Sequence, residues 1–172
     1  MKWLEVDETD ARKNEPNSFV PAEPPHSIEP ASIDDKGRLK LPAKIVEYLS
    51  ASGIANVFIT TVDFRQVRIY PLTEWKRNEN LARNAGENSA AVERLMRLAK
   101  HYGGDAEIDK SGRVLLPAPL REEMGLEKQP VVVDVHNGRV NVVSKKIHDE
   151  LLQAARVSLA EDLKTLEKMG FN

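Results

Sequence analysis

A ten-residue stretch of this chain is written twice. Ile33-Asp34-Asp35-Lys36-Gly37-Arg38-Leu39-Lys40-Leu41-Pro42 returns as Ile108-Asp109-Lys110-Ser111-Gly112-Arg113-Val114-Leu115-Leu116-Pro117, 75 positions later. Isoleucine, aspartate, glycine, arginine, leucine and proline recur at the same places. A fixed-period repeat constrains architecture more than any local propensity does. Two copies are too few for a solenoid, so the pattern implies one domain with pseudo-twofold symmetry.

Each copy spells out a turn. An aspartate accepts hydrogen bonds from backbone N–H groups just ahead of it, which nucleates tight turns. Gly37 and Gly112 supply the positive φ that such a turn needs. Leu39-Lys40-Leu41 alternates with the period of a half-buried strand. Val114-Leu115-Leu116 loses the alternation, which predicts a strand covered on both faces. Pro42 and Pro117 end the strands and open helices over 43–49 and 118–124, where a missing N–H costs nothing. Gly53 and Gly125 stand where helix-terminating glycines belong. Arg38 and Arg113 follow their aspartates by four positions, and two readings of them stay open. They are solvated charges paired with their own aspartates, or guanidinium groups that Asp34 and Asp109 orient toward a ligand. The same spacing seen twice favours the second.

The D-x-x-x-R turns followed by L-x-L-P and V-x-L-P resemble the SpoVT/AbrB half-barrel. Their pairing in one chain resembles the MraZ family of bacterial transcriptional regulators. Ile69-Tyr70-Pro71-Leu72-Thr73-Glu74-Trp75, Val92-Glu93-Arg94-Leu95-Met96-Arg97-Leu98 and Leu115-Leu116-Pro117-Ala118-Pro119-Leu120-Arg121 resemble further parts of that family. The likeness runs from about Ser27 into the 150s. It implies an α+β fold: a mainly β, pseudo-twofold SpoVT/AbrB-like barrel formed by two intrachain repeats, with intervening and C-terminal helices. The expected divisions are a disordered, acidic, proline-rich tail at 1–27, repeat one at 28–75, a helical linker at 76–102, repeat two at 103–146 and a C-terminal helix at 147–172. The resemblance also implies ring-like homo-oligomers that present several such turns to short repeats in the promoter of the division and cell-wall gene cluster. The chain departs from the family in its long N-terminal extension and in Val142, near which an aromatic is usual; the valine implies a rearranged pocket beneath the last helix.

Composition narrows the function classes. The chain has 172 residues, 41% hydrophobic and without cysteine, which excludes disulfides and thiolate chemistry and is compatible with a reducing cytoplasm. No apolar run of the ~18 residues that span a membrane occurs, and the N-terminus lacks the apolar segment of a signal peptide. Net charge is −2. The first 30 residues hold seven acidic and three basic side chains, which leaves 22 Lys and Arg against 20 Asp and Glu in the remainder. A DNA reader of this kind relies on a local patch multiplied by assembly. Localisation is expected in the cytoplasm, associated with the nucleoid.

Elsewhere, 56–62 is β-branched and reads as a strand, Asp63-Phe64-Arg65-Gln66 as a turn, and 67–70 as its return. Thr73 with Glu74 reads as the cap of a helix reaching about residue 85, with Gly86 breaking it. Ser89 reads as the cap of a second helix whose Val92, Leu95, Met96 and Ala99 form a core-facing stripe. Residues 130–135 and 139–143 flank the hairpin signal Asn137-Gly138. Ser144 reads as the cap of a long final helix bearing Ile147, Leu151, Ala155, Leu159, Leu163 and Leu166 at helical spacing. That stripe packs on its own barrel or on a neighbouring subunit. Trp3 and Leu4 in the tail are expected to be solvated rather than docked on a partner.

An enzyme finds little here. His26, His101, His136 and His148 are scattered without metal-ligand spacing, and no phosphate-binding glycine pattern is present. Asp34-Asp35 is a carboxylate pair that, with Asp109, is a candidate Mg²⁺ site for a phosphohydrolase, but Lys36 and Arg38 crowd the pair and Lys110 replaces Asp35 in the second copy. No cofactor and no metal are expected. A double-stranded DNA partner fits better, because an arginine matches the two major-groove acceptors of guanine and a two-stranded ribbon fits that groove. In this reading Arg38 and Arg113 meet bases or groove-edge phosphates, while Lys36, Lys40 and Lys110 meet phosphates. Asp34, Gly37, Asp109 and Gly112 shape the turns, and the two tips jointly present the guanidinium groups. Arg121 is a peripheral candidate, offset by Glu122 and Glu123. The rival class is an AbrB-type interaction module, antitoxin-like, that binds a peptide.

Overall fold

A computed structural model describes residues 22–172. Most of the tail, with Trp3 and Leu4, lies outside the described residues. Copy one forms β1 (Glu29–Ile33), β2 (Arg38–Lys40), α1 (Ala43–Ala51), β3 (Asn56–Thr60) and β4 (Gln66–Pro71). Helix α2 (Leu72–Arg83), a 3-10 turn at Gly86–Asn88 and α3 (Ser89–Tyr102) connect it to copy two. Copy two repeats the order with β5 (Gly104–Glu107), β6 (Arg113–Leu115), α4 (Ala118–Met124), β7 (Pro130–His136) and β8 (Arg139–Ser144), and α5 (Lys145–Glu167) follows.

The eight strands make one antiparallel sheet in the order β5-β3-β4-β8-β7-β1-β2-β6, nearly closed into a barrel. The copies interleave. β1 pairs with β7 and β5 with β3, so the first strand of each copy is hydrogen-bonded to the third strand of the other. β2 pairs with β6 and β4 with β8. In those two ladders Leu39 faces Val114 and Val67 faces Val142, residues that stand 75 apart in the chain. The pseudo-axis passes through these pairs, all four side chains of which are buried. Around them Leu41, Ile45, Ile59, Ile69, Leu116, Leu120, Val131, Val133 and Val140 fill a single core drawn from both copies. Each such side chain stabilises the fold by roughly 1.5–3 kcal/mol relative to exposure.

Several local expectations are corrected. β6 is not covered on both faces: Leu115 is 54% exposed, because Val114 takes the inward position of Leu39 and Leu115 the outward position of Lys40. α2 begins at Leu72, so Thr73 lies inside its first turn and caps nothing. α3 begins at Ser89 itself, with no side-chain cap. Of the stripe on α3 only Ala99 is buried; Val92, Leu95 and Met96 line a cleft of about 410 Å³ between α2 and α3, over Tyr70 and Trp75. β3 stops at Thr60, since the Thr61 hydroxyl turns to donate to the Gln66 carbonyl at 2.8 Å. Other expectations hold. Asn137 and Gly138 take φ of 52° and 71°, the left-handed pair of a tight hairpin. Ser144 caps α5 by accepting from the Ile147 N–H at 3.2 Å. Among the described residues α5 packs chiefly against β7 and β8, and it buries no residue fully. Val142 points into the barrel core, so the cleft beneath α5 is lined instead by its neighbours Asn141 and Val143.

Candidate functional site

The two repeated turns are built alike. Asp34 N–H donates to the Arg38 carbonyl at 2.9 Å, and Gly37 N–H to the Asp34 carbonyl at 3.0 Å. The Asp34 carboxylate accepts from the N–H groups of Lys36 and Arg38, each at 2.9 Å. In the second copy Asp109 N–H donates to the Arg113 carbonyl and Gly112 N–H to the Asp109 carbonyl, both at 2.9 Å. Asp109 accepts from the N–H groups of Ser111 and Arg113 at 2.8 and 2.9 Å. The backbone N–H of Arg38 holds the Asp34 carboxyl below its ordinary pKa, and that of Arg113 does so for Asp109, because hydrogen bonds to the charged form favour it.

Each tip is also locked to the opposite copy. Leu41 N–H donates to the Gly112 carbonyl at 2.9 Å, and Leu116 N–H to the Gly37 carbonyl at 3.0 Å. Gly37 and Gly112 take φ of 77° and 70°. A Cβ at Gly37 would overlap the Arg121 guanidinium, and one at Gly112 would come within 2.7 Å of Val46 Cγ2. Arg121 is therefore engaged within the protein rather than free at the surface. Its side chain is 15% exposed, donates to the Leu116 carbonyl at 3.1 Å and pairs with Glu127 at 3.2 Å, not with Glu122 or Glu123. Its role as the clasp over tip one was hidden in the sequence, since the pseudo-equivalent position holds Val46.

The tips themselves do not stand side by side. β2 and β6 run antiparallel, with Arg38 opposite Leu115 and Lys40 opposite Arg113. The tips lie at opposite ends of this ribbon. What converges is the outer face: with Leu39 and Val114 turned inward, alternation places Arg38, Lys40, Arg113 and Leu115 together on the other side. Arg38 and Arg113 are diagonal neighbours, ~7–8 Å apart by sheet geometry. Arg38 Nε donates to Asp34 at 2.8 Å, so this arginine pairs with its own aspartate while its side chain stays partly exposed. Among the described residues no carboxylate pairs with Arg113, Lys36 or Lys110 within ion-pair distance. Lys40 reaches across to the Ser111 carbonyl on the opposite tip. The two copies are thus equal in backbone and unequal in side-chain engagement.

Asp34 is poorly placed to hold a metal, because both its oxygens already accept hydrogen bonds within the turn. Asp35 lies 3.9 Å from Lys128. No cluster of three or more His, Asp or Glu that suits a metal occurs among the described residues. No helix among them is long and apolar enough to cross a membrane.

Residues 104–168 match the family described as "MraZ protein, putative antitoxin-like". The transcriptional regulator MraZ of Idiomarina loihiensis is 40% identical over 104 residues, 59% of this chain and 68% of that protein. That of Acidobacterium capsulatum is 32% identical over 143 residues, covering 82% of this chain and 95% of the relative. That of Symbiobacterium thermophilum is 36% identical over 141 residues, covering 81% and 96%. Spans of that length in a chain of 172 residues take in both copies of the turn. With nearly the whole of such relatives covered by a barrel built from two interleaved turn-bearing halves, this chain belongs to the MraZ family of transcriptional regulators and is not an enzyme.

Proposed function

We propose that the protein is a sequence-specific reader of double-stranded DNA that represses transcription as a ring-like homo-oligomer on repeated promoter sites of the division and cell-wall gene cluster. The reading places it in the cytoplasm, at the nucleoid. The observation that carries it is the outer face of the β2–β6 ribbon. A two-stranded ribbon is narrow enough for the major groove, and its exposed side offers two guanidinium groups about two base steps apart, taking ~3.4 Å per step. Arg38 and Arg113 meet guanines. Lys36 and Lys110 on the tips meet phosphates, and Lys40 does so while steadying tip two. Asp34, Gly37, Asp109 and Gly112 hold the backbone that aims them. Repeats 28–75 and 103–146 act as the two halves of one reader.

One ribbon makes few contacts and the net charge is small, so useful affinity requires several ribbons on one DNA molecule. The exposed leucines of α5 support assembly, since a helix with Leu151, Leu159, Leu163 and Leu166 open to solvent has an apolar face that a neighbour can cover. The same exposed surface is what favours the rival reading, a peptide-binding module with little DNA specificity.

Selection of bound fragments from genomic DNA, followed by fluorescence anisotropy, tests the proposal. Specific fragments should emerge, affinity should fall steeply with salt as counterions are released, and Arg38→Ala or Arg113→Ala should each cost ~1–3 kcal/mol on the selected site. Recovery of no preferred sequence, together with no binding at low salt by residues 28–172, favours the peptide module.

A further inference from the structure

We propose that Leu115 is a specificity-determining residue that packs on the 5-methyl group of a thymine adjacent to the base met by Arg38; this rests on the DNA-reading role proposed above and deepens it. The pseudo-twofold relation makes the residue conspicuous. Between the copies the aspartate, the glycine, the arginine, the inward apolar residue and the proline are retained. On the outer face the position equivalent to Leu115 in the first copy, 75 residues earlier, holds Lys40. A lysine at both places would serve a purely phosphate-gripping ribbon. Instead a leucine, 54% exposed, sits among three cations.

Core packing does not explain it, because the inward positions of this segment belong to Val114 and Leu116. A single exposed leucine needs no explanation on an ordinary surface. This one lies directly across the ladder from Arg38, with Cβ atoms ~4.5–5.5 Å apart by sheet geometry. The rise between bases is ~3.4 Å, so the two side chains address the same or adjacent base pairs. In the major groove the ligands that suit them are distinct: O6 and N7 of guanine for the guanidinium, and the thymine methyl for the alkyl group. Asp34 accepts from Arg38 Nε at 2.8 Å, which restricts the side chain that stands across the ladder from Leu115. At the other end of the ribbon Arg113 faces Lys40, so no apolar contact is available there. The face therefore has a direction. One end reads a guanine and a thymine, and the other reads a guanine and a phosphate.

The test uses the full-length protein and a DNA fragment recovered by selection, with each thymine replaced in turn by deoxyuridine, which pairs identically and lacks the methyl. Wild-type affinity should drop about fourfold at one thymine, the worth of one buried methyl-sized group. Leu115→Ala should bind the unmodified fragment more weakly by a similar factor and should no longer distinguish thymine from uracil at that position. Leu115→Lys, which copies Lys40, should also lose the distinction. Wild-type binding indifferent to uracil at every thymine overturns the assignment while leaving the DNA reading intact. Retention of the thymine preference by Leu115→Ala overturns it as well. A fall in assembly mass on native mass spectrometry with the methyl preference unchanged would instead place Leu115 between copies. Failure of the wild type to bind any fragment removes the DNA reading, and this inference with it.

Discussion

Asp34 and Asp109 illustrate how much one residue can organise. Each carboxylate gathers N–H groups from its own turn, and that is why both titrate below the usual aspartate range. A folded pKa below the unfolded one means that the unfolded chain binds the proton more readily. The stability these groups contribute is present above the ordinary aspartate pKa of ~3.9 and is lost as pH falls through it toward the lower folded value. Denaturation midpoints should therefore decline below pH ~5, and the decline should be shallower in the Asp34→Asn/Asp109→Asn double variant. An equally steep decline would exclude the turn carboxylates as its source. Gly112 allows a second measurement at this scale. Gly112→Ala should cost about 1–2 kcal/mol for its left-handed backbone, and more for the displacement of Val46. Gly125→Ala, with φ of 58° and open space around it, should carry only the backbone part. Urea denaturation of both variants would expose the difference, and equal losses would show that Val46 yields freely.

At the scale of elements, β2 and β6 matter as a pair, because neither strand of three residues is a binding surface alone. Pairing in antiparallel register brings together side chains from two turns whose tips point to opposite ends. The helices behave differently. α2 and α3 enclose an aromatic cluster in which Phe58 stacks on Trp75 at 4.2 Å, and Lys100 on α3 reaches Glu79 on α2 at 3.6 Å. α5 instead leaves the barrel after its first turns, carrying its leucines with it. Removing residues 156–172 should leave the thermal unfolding of the barrel almost unchanged and lower the mass of the assembly on native mass spectrometry. A large fall in melting temperature without loss of assembly would mean that the helix serves its own barrel.

Across the whole molecule the interleaving of strands decides cooperativity. With β1 bonded to β7 and β5 to β3, each copy leaves strand edges and half a core unmade when the other is absent. Residues 22–83 and 103–172, produced separately, should each lack a cooperative unfolding transition and regain one when mixed. Near-ultraviolet circular dichroism against denaturant would report this, and a sharp transition for either half alone would show that the copies are independent. The same interleaving sets the two arginines on one surface, since the β2–β6 ladder exists only between copies.

The residues alone determined the repeat, the paired turns, the Asn137-Gly138 hairpin, the Ser144 cap and the kinship that follows from them. All of these rest on short-range chemistry: a carboxylate meeting nearby N–H groups, or a glycine permitting positive φ. Tertiary structure decided what depends on distant partners. The run Val114-Leu115-Leu116 is apolar throughout, so its period could not say which face is buried; pairing with β2 did, and turned Leu115 outward. Arg121 looked like a surface charge among glutamates until the fold laid it over Gly37. The stripe on α3 looked like core throughout, but only Ala99 and Met96 join the aromatic cluster, and Val92 and Leu95 line a cleft. In each case the missing information was the identity of the opposing surface, which is set by contacts between positions far apart in the chain.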